Sequence, residues 1–175
     1  MAKILFLSHT EESGQLSVPA LEALSAAADM STKLGGELVV GLFGGSVDVS
    51  QVSGKTLTVS GENFAVPRYA TDAAAAEALV RAADAQTVVA PGTSRMSRVL
   101  SGVAARVNGA VDSHITGFDV KNGSLVVNRW YYRQRMQAEI ARTATPWFLS
   151  IDSGVFTPFA GGGDAAVEAV EVAVD

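Results

Sequence analysis

Two short polar segments carry the side chains best suited to hold a small anionic ligand: Ser8 and His9 in the first, and Gly92, Thr93, Ser94 and Arg95 in the second. Each follows a short, mostly apolar run, at residues 4–7 and 87–90, that predicts a buried strand. Segments that follow neighbouring parallel strands meet at one edge of a sheet. We therefore interpret the two segments as candidate nucleotide-binding loops that face one crevice.

The second segment combines several features of an anion site. Gly92 permits close approach to the backbone, the hydroxyls of Thr93 and Ser94 add donors, and the N–H groups at the start of a following helix attract negative charge. Arg95 and Arg98 would lie in the first helical turn as counter-charges. The usual glycine-rich and Walker phosphate motifs are missing, however, and an ordinary helix N-cap is the more common use of such residues.

The histidines give little support to a catalytic or metal site. His9 has no carboxylate or serine partner at a recognisable spacing, and only His114 accompanies it. A polar loop at a strand end is therefore the favoured alternative for Ser8 and His9. The chain contains no cysteine, which excludes disulfides, thiolate metal sites and a cysteine nucleophile. We predict neither a metal site nor an enzyme active site.

A second group of candidate residues lies between positions 129 and 142 and is rich in arginine and aromatic side chains. Such side chains are enriched at protein interfaces and can also stack on a flavin or an adenine. The alternative is a solvated strand face with its aromatic residues in the core. We favour an interface, because so many arginines and tyrosines are unusual on a free strand surface. The predicted interface residues are Arg129, Tyr131, Arg133 and Arg135.

The elements that would position these groups alternate along the first half of the chain. A strand at residues 4–7, a helix at 16–34 and a strand at 37–43 predict a parallel pair with a crossover helix. The strand at 87–90 precedes a helix at 95–107. The segment between these units is less clear. We expect strands at residues 55–59 and 64–69 there, and then an alanine-rich helix capped by Asp72.

Alternating apolar and polar residues take over after position 110. The pair Asn122 and Gly123 predicts a β-hairpin, because both residues accept the positive φ that its turn requires. Residues 130–139 are expected to form one extended strand, with a helix as the competing interpretation, and residues 145–150 a last short strand. We place the domain at residues 1–158. Residues 159–175 are expected to be a glycine-rich linker and an acidic tail, either a disordered remnant or a partner-binding strand.

The composition is typical of one globular domain. Of the 175 residues, 48% are hydrophobic and 18% are charged, and the formal net charge of −5 argues against a nucleic-acid partner. The apolar run at the N-terminus is too short for a signal peptide, and no stretch reaches the about 20 apolar residues of a membrane span. We therefore expect a cytoplasmic protein without a membrane span.

Five ordered segments carry a resemblance to a known family: Thr87–Ser94, Arg98–Val107, Ala110–Ile115, Leu125–Arg129 and Pro146–Phe156. Over roughly residues 87–156 the chain resembles the electron-transfer flavoprotein alpha family. That family has a strand with a Gly-Ala/Thr-Ser turn, a helix ending Ala-Ala-Arg-Leu, a hairpin and a closing strand. One departure is local, since the family usually carries a Gly-Asn pair where this chain has Arg133, Gln134 and Arg135.

The resemblance implies a fold and a role. The fold is adenine-nucleotide-hydrolase-like: an α/β three-layer sandwich with a mostly parallel, Rossmann-like sheet and a C-terminal antiparallel hairpin region. The role is that of an alpha-subunit-like electron carrier in a heterodimer with a beta-like subunit. FAD would be the cofactor, and acyl-CoA or other dehydrogenases would supply electrons indirectly.

The family's main FAD contacts lie in a C-terminal domain that this sequence does not include. FAD is therefore expected only in complex with a partner or with that domain. The alternative is a stand-alone adenine-nucleotide-binding module, similar to stress proteins, that holds AMP. A structural subunit without a cofactor is the third interpretation.

Overall fold

Strands and helices alternate through the first part of the chain in the computed structural model, which describes residues 1–174. A single turn of 3₁₀ helix at Glu62–Phe64 precedes the second helix. The elements are β1 (Lys3–His9), α1 (Val18–Lys33), β2 (Glu37–Gly44), β3 (Ser53–Ser60), α2 (Tyr69–Ala83), β4 (Thr87–Pro91), α3 (Ser94–Arg106), β5 (Ala110–Lys121), β6 (Ser124–Tyr131), β7 (Met136–Ile140), β8 (Trp147–Ile151) and β9 (Asp164–Ala169).

The strands of residues 1–174 form one sheet in the order β7-β6-β5-β8-β4-β1-β2-β3-β9. Neighbouring strands are parallel except for β6, which runs antiparallel to both β5 and β7. Helix α1 covers one face of the sheet, and α2 and α3 cover the other. These features confirm the predicted α/β three-layer sandwich with a mostly parallel, Rossmann-like sheet and an antiparallel hairpin region.

The first strand shows how the two faces are filled. Ile4 and Phe6 pack toward α1, whereas Leu5 and Leu7 pack toward α2 and α3, and all four side chains are buried. Burying one such side chain contributes about 1.5–3 kcal/mol. Because helices cover both faces, the strand reads as a continuous apolar run rather than an alternating one.

Side-chain caps begin two of the helices. The hydroxyl of Ser17 accepts a hydrogen bond from the backbone N–H of Ala20 at the start of α1, and Pro19 occupies the first turn. The hydroxyl of Thr93 accepts from the N–H of Met96 at the start of α3. The predicted cap on α2 is wrong, because Arg68 is the N-cap residue and Asp72 lies within the first turn with its side chain buried.

The predicted strand at residues 64–69 is also wrong. Phe64 ends the 3₁₀ helix and is buried, and the chain then passes through Pro67 into α2 at Tyr69. Proline supplies no N–H to a sheet ladder, so the segment cannot pair as an interior strand. The predicted strand at residues 55–59 is confirmed as part of β3.

The hairpin at Asn122 and Gly123 is confirmed, with φ values of 52° and 76°. The single strand predicted over residues 130–139 is wrong. The chain reverses between β6 and β7, and Tyr132, Arg133 and Gln134 have φ values of 48°, 55° and 64°. The reversal lets β7 pair with β6 and so satisfies backbone groups that a longer strand would leave unpaired. We call residues 132–135 the arginine turn.

Residues 164–169 belong to the sheet. They form β9, which pairs in parallel with β3 from Ser53–Asp164 to Thr58–Ala169, so the disordered interpretation is wrong for this segment. Val170, Val172 and Val174 then pack against the core on the α2 side. The boundary at residue 158 stays a prediction, and Asp175 of the predicted tail lies outside the described residues. Among residues 1–174, every helix is too short or too polar to span a membrane.

The central strand β8 provides a stability test. Phe148 is 0% exposed, and we expect Phe148→Ala to lower the free energy of unfolding by about 3–5 kcal/mol, because it leaves a cavity between α3 and the sheet. Val167→Ala on β9, where the side chain is 52% exposed, is the control, with an expected change within about 0.5 kcal/mol. Urea unfolding measures both, and equal losses would contradict this assignment of the core.

Candidate functional site

The sheet leaves a cleft where the order of its strands reverses. Strands β1 and β4 are neighbours, but their following helices lie on opposite faces, so the loops after the two strands diverge. The resulting switch-point cleft has a volume of about 390 Å³. The structure brings four of the predicted site residues together around it: His9, Thr93, Ser94 and Arg95.

Two predicted residues lie elsewhere. Ser8 is fully buried, and its hydroxyl donates to the carbonyl of His9 at 2.9 Å rather than facing the cleft. Gly92 lines a different cavity, on the other side of the turn that leads into α3. Of the two loops predicted to face one crevice, the parts that do face each other are the side chain of His9 and the start of α3.

The ring of His9 is oriented by its neighbour in the chain. Its Nδ1 lies 3.1 Å from the carbonyl oxygen of Thr10, so Nδ1–H donates there. The other nitrogen, Nε2, lies 3.5 Å from the hydroxyl oxygen of Thr93. Burial lowers the pKa of His9 below its usual value, with a smaller contribution from the positive charge of Arg95. His9 is thus a neutral acceptor at the wall of the cleft.

The guanidinium of Arg95 is engaged in a buried ion pair. Its Nε and Nη2 donate to the two carboxylate oxygens of Asp72 at 2.8 and 2.7 Å, and Nη2 also donates to the carbonyl of Phe64 at 2.7 Å. The same group lies 5.5 Å from the ring centre of Phe43. Arg95 therefore joins α3 to α2 and to the 3₁₀ helix.

The charge balance of the switch-point cleft follows from that pair. Asp72 neutralises Arg95, and Glu11 and Glu12 add two carboxylates to the lining. The remaining attraction for an anion comes from the N-terminus of α3 at Ser94. The cleft is therefore better suited to a neutral, hydroxyl-bearing group or a single phosphate than to a polyphosphate.

The predicted interface residues divide into two pairs. Arg129 is partly buried and donates to Asp112 at 3.2 Å, and its guanidinium carbon lies 4.3 Å from the ring centre of Tyr131. Arg133 and Arg135 are exposed on the arginine turn. Only the second pair is fully available to a partner, whereas the first supports the base of the hairpin.

Asp112 is the anchor of that base, and sequence reasoning did not identify it. Its carboxylate is 1% exposed and receives hydrogen bonds from Arg142, from Trp147 Nε1 at 2.8 Å and from Arg129. Burial alone would raise the pKa of Asp112, but the hydrogen bonds from Arg142 and Trp147, together with the positive charges of Arg142 and Arg129, lower it. We call these residues the Asp112 cluster.

A third cavity, of about 550 Å³, lies beside the arginine turn. It is lined by His114 and residues 129–134, a mixture of aromatic rings and arginines. One of the lining residues, Arg129, has its Nε buried away from solvent and without a hydrogen-bond partner among the described residues. Tyr132 on the turn is 73% exposed. The cavity offers flat apolar surfaces and cationic donors, which suit a planar ligand with carbonyl or acidic groups.

A comparison with known families gives one match. The model of the family described as "Electron transfer flavoprotein domain" matches residues 4–175, which include the switch-point cleft, the Asp112 cluster and the arginine turn. No curated protein matches the chain.

The buried pair between Arg95 and Asp72 can be tested by its removal. We expect Asp72→Ala to lower the free energy of unfolding by about 3–5 kcal/mol, because it leaves the guanidinium buried without a counter-charge. Glu77→Ala, in the same helix, breaks the more exposed pairs with Arg81 and Arg106 and should cost less than about 1 kcal/mol. Urea unfolding compares the two variants. Equal losses in the free energy of unfolding would show that the buried pair stabilises the protein no more than the exposed pairs do.

The lowered pKa of His9 predicts a pH dependence of stability. The unfolded chain binds the proton more readily, so the free energy of unfolding decreases as the pH falls from about 6.5, the ordinary value, through the lowered pKa of the folded state. The contribution of His9 to this slope is at most about 1.4 kcal/mol per pH unit. The free energy of unfolding, measured by urea at several values between about pH 5 and pH 8, should change less with pH for His9→Gln than for the wild type. Identical slopes would contradict the prediction.

Proposed function

Because this chain belongs to the electron transfer flavoprotein domain family, we propose that it is an alpha-subunit-like component of an electron carrier. In this proposal it pairs with a beta-like chain and takes part in FAD-mediated electron transfer. The electrons come from dehydrogenases of the acyl-CoA type or another type. The observation that carries the proposal is the family match over residues 4–175.

The arginine turn supports a partner surface at the hairpin end of the sheet. Its residues Tyr132, Arg133 and Gln134 are left-handed although none is glycine, and each such residue costs about 1–2 kcal/mol of backbone strain. Strain of this kind persists where the surrounding structure imposes it, and it clusters at functional sites. The strained arginine turn presents two arginines and an exposed tyrosine to solvent. Arginine and tyrosine are enriched in interface hot spots.

The surface of the beta-like chain that faces the arginine turn would carry acidic groups. Arg129 and Arg142 are already paired with Asp112, whereas the charges of Arg133 and Arg135 project beyond the hairpin into solvent. An acidic patch on the beta-like chain would complement them and speed association. Met136, 58% exposed at the start of β7, adds an apolar contact beside the charges.

The residues around the cavity beside the arginine turn fit one wall of a flavin site. The rings of Trp130 and Tyr131 can lie against a planar ring system, and the exposed guanidinium of Arg133 can donate to a carbonyl oxygen. FAD supplies the one- and two-electron chemistry when it is bound. The residues of this chain would position the ring and exclude water from one of its sides, and the partner would complete the enclosure.

A stand-alone adenine-nucleotide-binding module is the second candidate. The switch-point cleft favours it, because α/β sheets bind ligands at such a crevice and the start of α3 can hold one phosphate of AMP. Glu11 and Glu12 oppose it by repelling anions. The module needs no partner chain, which separates it experimentally from the electron-carrier proposal.

Purification with and without partner candidates tests both functions. We expect the chain alone to be colourless, and the complex with a beta-like product of a neighbouring gene to show the visible absorbance of an oxidised flavin. A colourless complex would contradict the FAD proposal. Release of AMP from the chain purified alone, detected by mass spectrometry, would favour the nucleotide-binding module instead.

Charge reversal on the arginine turn tests the partner surface. We expect Arg133→Glu with Arg135→Glu to weaken binding of the beta-like chain more than tenfold, because the substitutions place like charges against an acidic patch. The control reverses two exposed charges elsewhere, with Lys55→Glu and Arg98→Glu, and should change the affinity less than twofold. Calorimetry measures both variants, and equal effects would place the partner surface elsewhere.

A further inference from the structure

A polar cavity of about 240 Å³ lies between α3, the carboxyl ends of β4 and β8 and the first half of β5, apart from the switch-point cleft. The turn at Gly92 and Thr93 separates the two, because Gly92 lines this cavity and Thr93 lines the cleft. We call it the serine cavity. Its polar side chains come from three elements that are distant in sequence: Ser97, Ser101, Ser113, His114, Ser150 and Asp152.

His114 reaches the serine cavity because of an irregularity in β5. The register of β5 against β8 shifts between Asp112 and Ile115, and His114 has a φ of 59° at this bulge. Its Nδ1 lies 3.2 Å from the carboxylate of Asp152, whose backbone N–H donates to Ile115 at 3.0 Å. The carboxylate thus orients the imidazole, and in the neutral ring Nε2 is left as an acceptor.

Ser150 supplies the observation that points to a ligand. The residue is 5% exposed and lines the serine cavity, and no side-chain hydrogen bond within residues 1–174 engages its hydroxyl. The hydroxyl is not one of the fully buried atoms that lack a partner, so it is open to the cavity, where a ligand hydroxyl can replace water. A Cβ at position 92 would lie 3.5 Å from this hydroxyl and 2.8 Å from the carbonyl of Ile151, so Gly92 keeps the approach to Ser150 open.

The chemistry of the lining selects the ligand class. No lysine or arginine lines the serine cavity, so it lacks the positive side chains that bind phosphate groups. It offers serine hydroxyls, an imidazole acceptor and a carboxylate, and these accept hydrogen bonds from ligand hydroxyls. Leu100 and Val111 add an apolar wall, against which the C–H face of a sugar ring can pack.

We propose that the serine cavity binds the vicinal hydroxyls of a sugar ring, either a free pentose or the ribose of a nucleoside. One ring suits its volume, and the hydroxyl of Ser150 and the Nε2 of His114 meet the two hydroxyls. The site goes beyond the electron-carrier function and does not rest on it, since it uses neither the arginine turn nor a partner chain.

The two histidines make a direct assay possible. Imidazole ¹H–¹⁵N spectra resolve the signals of His9, in the switch-point cleft, from those of His114, which lines both the serine cavity and the cavity beside the arginine turn. We expect titration with adenosine or D-ribose to shift the signals of His114 and leave those of His9 in place. Loss of the His114 shift in Ser150→Ala assigns the ligand to the serine cavity, because Ser150 does not line the other cavity. Tighter binding of adenosine identifies a nucleoside site, and equal affinities identify a free-sugar site. 2′,3′-Dideoxyadenosine, which lacks the vicinal hydroxyls, should give no shift.

Substitutions test the assignment of the contacts. We expect Ser150→Ala to weaken binding about tenfold, because it removes a buried hydrogen-bonding group without adding volume. Ser101→Ala, on the exposed side of the serine cavity, is a second variant that remains informative if Ser150→Ala does not fold. Ser124→Ala, on the exposed hairpin, is the control and should bind like the wild type.

Three results would overturn the proposal. The first is an absence of shifts at His114 with both adenosine and D-ribose at millimolar concentration. The second is equal binding of adenosine and 2′,3′-dideoxyadenosine, which would mean that the vicinal hydroxyls are not recognised. The third is a shift confined to His9, which would place the ligand in the switch-point cleft. None of these results bears on the electron-carrier function, whose test reads flavin absorbance in the complex.

Discussion

The need to cover both faces of the central strands governs the rest of the molecule. Strands β1 and β4 are apolar on each side, so α1 must lie on one face and α2 with α3 on the other. This division makes the helices diverge between β1 and β4 and opens the switch-point cleft there. Beyond β5 the helices end, and the chain can continue the sheet only as a hairpin with one face in solvent.

Two buried carboxylates organise most of the positive charge near the candidate sites. Asp72 holds Arg95 at the start of α3, and Asp112 holds Arg129 and Arg142 at the base of the hairpin. An arginine near a strand end therefore does not by itself indicate an anion site, because its charge can be balanced inside the fold. The arginine turn carries two exposed arginines without an ion pair among residues 1–174, and this pair of charges favours a protein partner over a polyphosphate ligand.

The sequence predicts those parts of the fold that depend on local patterns. Continuous apolar runs reveal β1 and β4, Pro19 indicates the start of α1, and the pair at residues 122–123 indicates the hairpin. The parts that fail depend on distant contacts. The role of Asp72 requires a partner in α3. The chain reversal at residues 132–135 contains no glycine, the residue that would have indicated a turn there. Of the predicted nucleotide loops, His9 and the start of α3 do meet, because strand ends alone determine that meeting, and their binding of a nucleotide stays a prediction.

The pairing of β9 with β3 also has a consequence for the order in which the protein can be assembled. Ser53 pairs with Asp164, so the outermost strand joins an edge that was synthesised long before it. Until then β3 presents unpaired N–H and C=O groups, and such an edge can capture another chain. A parallel contact between strands so far apart in sequence also forms slowly, since a long loop must close first. During synthesis, the vulnerable surface of this protein is therefore the β3 edge rather than the hairpin.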